Sequence, residues 1–204
     1  MHVLDQTILG VVMLLLLGAL VAVKRMATGT VLEMPHGNFL VWFANSFNLF
    51  FLLVVNPLTA LLLITRHGAI IDFTRMPLPA PRLLTVCEIL GLTIYVMGFL
   101  LMAWALIRLG AHYQLGGSAP RIKDAFVIKG PFRLVRHPMY TAALSISLGL
   151  AVMTQSWALC GVFGIYLITI LHLIPLEEEG LRQAYEKHYV PYQQQVRKLV
   201  PFVY

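Results

Sequence analysis

Residues 83–107 have the sequence LLTVCEILGLTIYVMGFLLMAWALI, in which Glu88 is the only charged side chain. An α-helix over this stretch would be about 38 Å long, which exceeds the roughly 30 Å thickness of the hydrocarbon core of a bilayer. The run Phe39–Ile64 is of similar length and has no charged side chain. Both stretches therefore predict helices that cross a membrane.

Three shorter apolar runs complete the pattern: Ile8–Val23, Tyr140–Met153 and Trp157–Ile174. Thr154-Gln155-Ser156 separates the last two runs, which predicts a tight helical hairpin whose two ends lie on one side of the membrane. As a helix, the run before this turn would be only about 21 Å long, so the hairpin can be shorter than the bilayer is thick.

The predicted fold is an all-α integral membrane bundle of about five transmembrane segments, followed by an amphipathic C-terminal helix over Arg182–Tyr192 that ends at Pro191. In this single structural domain, residues 1–107 form three N-terminal membrane helices. Residues 108–204 form a loop, the hairpin and the C-terminal segment. The composition agrees, because 59% of the residues are hydrophobic and 12% are charged, whereas about 25% are charged in soluble domains.

The formal charge of +6 would suggest a nucleic-acid partner in a soluble protein. Here the basic residues lie between apolar runs, so we expect them to control topology and expect no nucleic-acid partner. Cys87 and Cys160 each lie inside an apolar run, which predicts buried small side chains and neither a disulfide framework nor a metal site.

The distribution of Lys and Arg predicts the orientation of the bundle. Twelve of these residues follow the first run, follow the third run or lie in the C-terminal tail, whereas three follow the second run. By the positive-inside rule the larger set is cytosolic. We therefore expect the N-terminus outside, the tail inside, and any site for a soluble cofactor where the loop before the hairpin meets the tail.

The densest polar stretch, GPFRLVRHPMY, covers residues 130–140 at the start of the fourth run. Pro138 suits the first turn of a helix and places His137 near the N-cap. Free N–H groups of a helix N-terminus beside Arg133 and Arg136 make an anion site. A basic collar at the membrane interface is an equally good interpretation of this stretch.

A run of three carboxylates, Glu177–Glu179, follows the fifth run. Adjacent carboxylates repel one another, so they favour a cationic or hydroxyl-rich partner. Glu177 and Glu178 beside the basic stretch thus suggest a cationic or ribose-bearing ligand. The alternative is the solvated start of a helix after Pro175.

The tail carries Tyr185, Tyr189 and Tyr192 at helical spacing, which favours an aromatic face at the membrane interface over a ligand site. His172, near the inner end of the fifth run, is a candidate catalytic residue or a packing histidine.

Polar residues also interrupt the apolar runs themselves. Asn45 and Asn48 share one face of the second run, and Asn56-Pro57 predicts a kink in it. Glu88 is a functional candidate by its position inside a membrane helix. It lies about one turn from the interface, where it can also reach water.

The chain contains, in this order, Gly130-Pro131-Phe132-Arg133, Arg136-His137-Pro138-Met139-Tyr140, a short hairpin, Glu177-Glu178, and then Tyr189, Tyr192, Arg197 and Pro201-Phe202. This order of motifs resembles one family. It is the superfamily of isoprenylcysteine carboxyl methyltransferases and phospholipid methyltransferases, which are integral membrane enzymes. The resemblance covers about residues 129–202, and the first three runs agree with it only in number and placement.

The resemblance implies S-adenosylmethionine as the methyl donor, held in a cytosolic pocket that the C-terminal segment caps. It also implies a lipophilic acceptor that enters from the bilayer. The residues it assigns to the cofactor site are Gly130, Arg136, His137, Pro138, Tyr140, Glu177 and Glu178. Arg136 and His172 are the candidates for catalysis.

Two departures from the carboxyl methyltransferase pattern concern the acceptor. Leu173 stands where those enzymes carry an arginine, and Ala111-His112-Tyr113-Gln114 replaces the usual aromatic-Ser stretch. Amine, thiol and other carboxylate acceptors therefore stay open beside prenylcysteine. Two other classes of function also remain: a nicotinamide-dependent sterol-type reductase, which has a similar Pro-aromatic-Val-Tyr ending, and a non-catalytic scaffold.

Overall fold

The computed structural model describes residues 4–32, 38–67, 74–77, 80–113 and 126–200. Six α-helices lie in these ranges: α1 (Gln6–Thr28), α2 (Phe39–Phe50), α3 (Asn56–Ile64), α4 (Pro81–Leu109), α5 (Pro138–Thr154) and α6 (Trp157–Gln195). Four rods are long and apolar enough to span a membrane, and the shorter α5 is a fifth apolar helix. The predicted all-α multi-pass membrane bundle is confirmed.

Helices α2 and α3 form one rod, Phe39–Ile64, joined by a π-helical turn over Phe51–Val55. The sequence predicted a kink at Asn56-Pro57, and the structure has this π-helical turn directly before these residues. Pro57 lacks a backbone N–H, and the π turn changes the hydrogen-bonding pattern just before it. Asn56 is fully buried, and its Oδ1 accepts a hydrogen bond of 2.9 Å from the Tyr95 hydroxyl.

Helices α4 and α5 pack closely against each other, and glycines lie at the contact. A Cβ atom added to Gly91 would lie 2.3 Å from the backbone nitrogen of Met153, and one added to Gly149 would lie 2.5 Å from that of Tyr95. Because glycine has no Cβ atom, the two backbones approach each other directly, and neither position has room for a methyl group. This contact places the start of α5, and so the site, relative to the N-terminal helices.

One end of the bundle is closed by the hairpin turn between α5 and α6. Gln155 adopts a left-handed conformation there, with φ 54°. Its Oε1 accepts a hydrogen bond of 3.1 Å from Arg75 Nη2, and the Ser156 and Thr74 hydroxyls are 2.7 Å apart. The turn is thus held by the segment that precedes α4.

Glu88 lies near the same end of the bundle, but it does not reach water as its position near the interface had allowed. It is fully buried and accepts a hydrogen bond of 3.2 Å from the backbone N–H of Leu4. This carboxylate therefore has a structural contact that joins α4 to the residues before α1.

Helix α6 differs from the sequence prediction. A membrane helix ending at Ile174 and a separate tail helix over Arg182–Tyr192 were expected, but α6 continues through Pro175, is interrupted at Tyr185, and extends through Pro191 to Gln195. Each proline removes one backbone hydrogen bond, and the helix continues past both. The break lies instead at Tyr185, which has non-helical dihedrals of φ −128° and ψ 27°.

Candidate functional site

The site begins with the turn that leads into α5. Gly130–Arg133 form a 3₁₀ turn, and Pro138 occupies the first turn of α5 with His137 at the N-cap, as predicted. Gly130 has φ 67°, a conformation that favours glycine, and a Cβ atom there would lie 2.9 Å from Arg108 Cγ. Gly130 therefore shapes the turn and packs against α4.

The chain after α6 lies along this turn. We define residues 196–200 as the C-terminal strap. The backbone N–H of Arg136 donates to the Arg197 carbonyl at 2.7 Å, and that of His137 donates to the Lys198 carbonyl at 3.0 Å. Thr141 Oγ1 donates to the Leu199 carbonyl at 2.8 Å. The predicted contact between the loop before the hairpin and the C-terminal tail is present, and backbone groups make most of it.

Arg136 is buried and joins three parts of the site. Its Nε and Nη2 lie 2.8 and 2.6 Å from Glu178 Oε1. Its Nη1 donates to the Gln193 carbonyl at 2.9 Å and also to the Val196 carbonyl. The guanidinium thus neutralises a buried carboxylate and satisfies the carbonyls at the end of α6.

The two neighbouring carboxylates have different surroundings. Glu178 is 5% exposed, and besides Arg136 it contacts His137 Nε2 at 3.2 Å and accepts from Gln193 Nε2 at 3.2 Å. Glu177 has a side chain that is 24% exposed, and it accepts a hydrogen bond of 2.5 Å from the Tyr140 hydroxyl. No Lys or Arg of the described residues lies within ion-pair distance of Glu177. Glu177 is therefore the carboxylate that is open to a ligand.

An apolar wall lies beside Tyr140. Leu173 of α6 packs with Val41 and Ala44 of α2, and Tyr140 packs against this cluster. The polar site is thus bordered directly by apolar side chains of the membrane helices.

His172 is not part of this arrangement. It is exposed, and its Nδ1 lies 2.8 Å from the Ile168 carbonyl of its own helix. Five residues of α-helix separate it from Glu177 by about 140° around the helix axis, so the two side chains lie on different faces. Arg136, His137, Pro138, Tyr140, Glu177 and Glu178 are the predicted site residues that the structure brings together.

The tail tyrosines also differ from expectation, since they do not form an exposed interfacial face. Tyr189 and Tyr192 are 1% and 9% exposed, and Phe126 lies at 5.2–5.9 Å from the rings of both of them and of Tyr185. An open cavity of about 430 Å³ adjoins this aromatic cluster, lined by Phe126, Ile128, Tyr185 and His188. Phe126, like Gln193, was missed because a single aromatic or amide in a tail or loop has no sequence signal of its own.

These features define a class: a multi-pass helical membrane protein with an arginine-histidine turn facing two carboxylates at the end of the bundle. The family model described as phospholipid methyltransferase matches residues 86–188, just over half of the chain. The chain belongs to the phospholipid methyltransferase family, and the resemblance recognised in the sequence is confirmed.

Two known proteins show how the similarity is distributed. The chain is 31% identical over 115 residues to Protein-S-isoprenylcysteine O-methyltransferase B of Arabidopsis thaliana, which covers 55% of this chain and 58% of that protein. The match thus spans less than two thirds of the relative. The fold is similar to that of the eukaryotic intramembrane Ras methyltransferase ICMT (isoprenylcysteine carboxyl methyltransferase), with a TM-score of 0.51, 14% identity, and 95% of this chain and 85% of that chain covered.

Proposed function

We propose that this protein transfers the methyl group of S-adenosylmethionine to a lipophilic acceptor dissolved in the membrane, as an isoprenylcysteine carboxyl methyltransferase-like enzyme. Family membership supports methyl transfer. The observation that carries the proposed site is the unequal pair of carboxylates: Glu178 is paired with Arg136, whereas Glu177 is partly exposed and has His137 Nδ1 at 4.0 Å but no Lys or Arg of the described residues beside it.

The donor set fits this cofactor. An uncompensated carboxylate suits the amino group or the ribose hydroxyls of S-adenosylmethionine, so Glu177 would hold it from α6. His137 and Tyr140 would hold it from the start of α5, and Pro138 and Gly130 fix the backbone that presents them. Arg136 would act through Glu178 and the strap, because its guanidinium already donates to Glu178 and to the Val196 carbonyl.

When bound, S-adenosylmethionine supplies a methyl group on a positively charged sulfur, which a nucleophile displaces in line. The protein's part is therefore positioning and charge more than acid-base chemistry. Glu177 balances positive charge at the site, and the Tyr140 hydroxyl fixes the direction of that carboxylate. The apolar wall around Leu173 offers an acceptor a path from the bilayer and excludes water.

We place the site on the cytosolic side, with the N-terminus outside, because the positive-inside rule puts the loop before α5 and the tail there. This position gives the site access to a soluble cofactor.

A phospholipid-amine or thiol acceptor is a second candidate, and the side chain at position 173 favours it. Leu173 is 1% exposed and lies one turn before Glu177. At this position the apolar wall therefore has no cationic side chain that could bind the carboxylate of an acceptor. Incubation with labelled methyl donor and either a prenylcysteine or phosphatidylethanolamine compares the two acceptor classes directly.

The test of the proposal is titration of S-adenosylhomocysteine into the detergent-purified protein by calorimetry, with NADPH in parallel. Saturable binding of S-adenosylhomocysteine alone is the expected result. Binding of NADPH alone would move the protein to the reductases, and binding of neither by folded protein would remove the cofactor site.

A further inference from the structure

Tyr189 has a buried hydroxyl that no described residue bonds. The residue is 1% exposed, so the hydroxyl does not obtain a partner from bulk water. A buried hydroxyl without a hydrogen bond loses its hydration and gains nothing in exchange, and such groups are therefore rare. An unpaired hydroxyl at this place in the fold favours a partner other than the residues that the structure describes.

The position of Tyr189 is fixed by its neighbours. Its ring packs against Phe126 at 5.9 Å between centroids and against Tyr192 at 6.2 Å. Tyr192 gives a direct comparison within the same cluster, because its hydroxyl donates to the Phe132 carbonyl at 2.6 Å. Among the described residues, one tyrosine hydroxyl of this aromatic cluster is therefore paired and the other is not.

Tyr189 lies one helical turn before Gln193, whose Nε2 donates to Glu178 at 3.2 Å, so the two side chains share the face of the helix that meets the carboxylate pair. Burial raises the pKa of Tyr189 well above its usual value; the charges of Glu178 and Glu177 raise it further, and Arg136 lowers it. The phenol is therefore neutral at physiological pH and keeps its proton. It can donate a hydrogen bond to a ligand that Glu177 holds.

We propose that the Tyr189 hydroxyl is an additional ligand contact of this site, which donates a hydrogen bond to an oxygen or ring-nitrogen acceptor of the bound nucleoside methyl donor. The inference rests on the proposed function, since the ligand is the cofactor assigned there. It adds a residue on the far side of the Tyr185 break, so that the segment beyond this break takes part in binding and does more than cover the site.

The experiment compares Tyr189→Phe with Tyr192→Phe in two measurements on the full chain in detergent: thermal unfolding without ligand, and the affinity for S-adenosylhomocysteine by calorimetry. Tyr189→Phe removes an unpaired polar atom, so its midpoint of unfolding should stay equal or rise by roughly 2–4 °C. Its affinity should fall about 3- to 10-fold, which corresponds to the loss of one neutral hydrogen bond. Tyr192→Phe loses an existing bond, so its unfolding midpoint should fall.

The outcomes are distinct. An unchanged affinity of Tyr189→Phe overturns the proposal, because the hydroxyl then meets nothing in the complex. A lowered unfolding midpoint without ligand also overturns it, because the hydroxyl then has a partner in the free protein. If the unmodified protein does not bind S-adenosylhomocysteine, the proposed function itself fails, and the inference fails with it.

Discussion

Glu177 and Glu178 are adjacent in sequence but face different surroundings, so their substitution should have different effects. Glu177→Gln keeps an acceptor for the Tyr140 hydroxyl and removes the charge that is open to a ligand. We expect the affinity for S-adenosylhomocysteine to fall about 10- to 100-fold, as for the loss of a charge-assisted hydrogen bond, with little change in the thermal midpoint. Calorimetry and thermal unfolding check the two parts, and an unchanged affinity would remove Glu177 from the site.

Glu178→Gln serves as the comparison, because it leaves the buried Arg136 guanidinium without a charged partner. Breaking a buried pair in this way costs about 3–5 kcal/mol. Its unfolding midpoint should therefore fall clearly. Glu179→Gln is the matched control, since Glu179 forms an exposed pair with Arg182 that is worth about 1 kcal/mol at most.

At this scale the sequence predicted which polar residues meet, but it did not predict how they divide their contacts. The motif order placed Arg136, His137, Glu177 and Glu178 at one helix junction. That Arg136 points to the carbonyls of Gln193 and Val196 depends on where the chain after α6 lies, and backbone acceptors carry no sequence signature. The same holds for the exposed His172, since the apolar run around it does not mark which face of the helix is inward.

At the scale of elements, the C-terminal strap depends on the fork geometry of Arg136. A lysine at position 136 keeps the charge beside Glu178 but carries its donors on a single nitrogen. It lacks the fork in which Nε and Nη2 bond Glu178 while Nη1 bonds the carbonyls of Gln193 and Val196. Arg136→Lys should therefore loosen the strap, and trypsin should cleave after Arg197 and Lys198 several-fold faster.

Mass spectrometry of the released C-terminal peptide measures this cleavage. Arg133→Lys is the control, because Arg133 is exposed on the same turn. Equal cleavage rates in Arg136→Lys and the unmodified protein would show that the backbone bonds from the strap to Arg136 and His137 suffice without the side chain.

The contact between α4 and α5 gives a second prediction at this scale. Gly91→Ala places a Cβ atom against the backbone of Met153, which cannot move as a side chain would. We expect a destabilisation of roughly 1–3 kcal/mol, seen as a lower midpoint of thermal unfolding in detergent. Gly161→Ala in α6 is the control, because nothing lies within 4 Å of a Cβ atom there, and its midpoint should not fall.

The elements themselves were predictable because each is a continuous run of apolar side chains with few or no charges, and all five expected runs lie within helices. The exception is α6, in which prolines were taken as helix ends. Pro175 and Pro191 each remove one hydrogen bond, whereas the break falls at Tyr185, a residue type with no helix-breaking tendency. Tertiary contacts of the tail with Phe126 accompany that break, and local sequence does not encode them.

At the scale of the whole molecule, contacts at the helix ends divide the bundle into two sides. Asp5 and Arg66 lie 3.7 Å apart, so the start of α1 and the end of α3 share one side. The hairpin turn lies on the same side, because Gln155 and Leu4 both contact the first turns of α4. On the other side, Lys24 Nζ lies 4.9 Å from the centre of the Tyr113 ring, which joins the ends of α1 and α4. These contacts agree with the alternation of loops predicted from the sequence.

The absolute orientation is a prediction from the charge count, which places twelve Lys and Arg on the side of the site and three on the other. In a Cys87→Ser/Cys160→Ser background, His67→Cys and Gln194→Cys introduce exposed thiols on opposite sides. A membrane-impermeant maleimide added to intact cells should label His67→Cys alone, and both variants should react after the cells are permeabilised. Labelling of Gln194→Cys alone would place the site outside, away from a cytosolic methyl donor, and would contradict the proposed function as well as the charge rule.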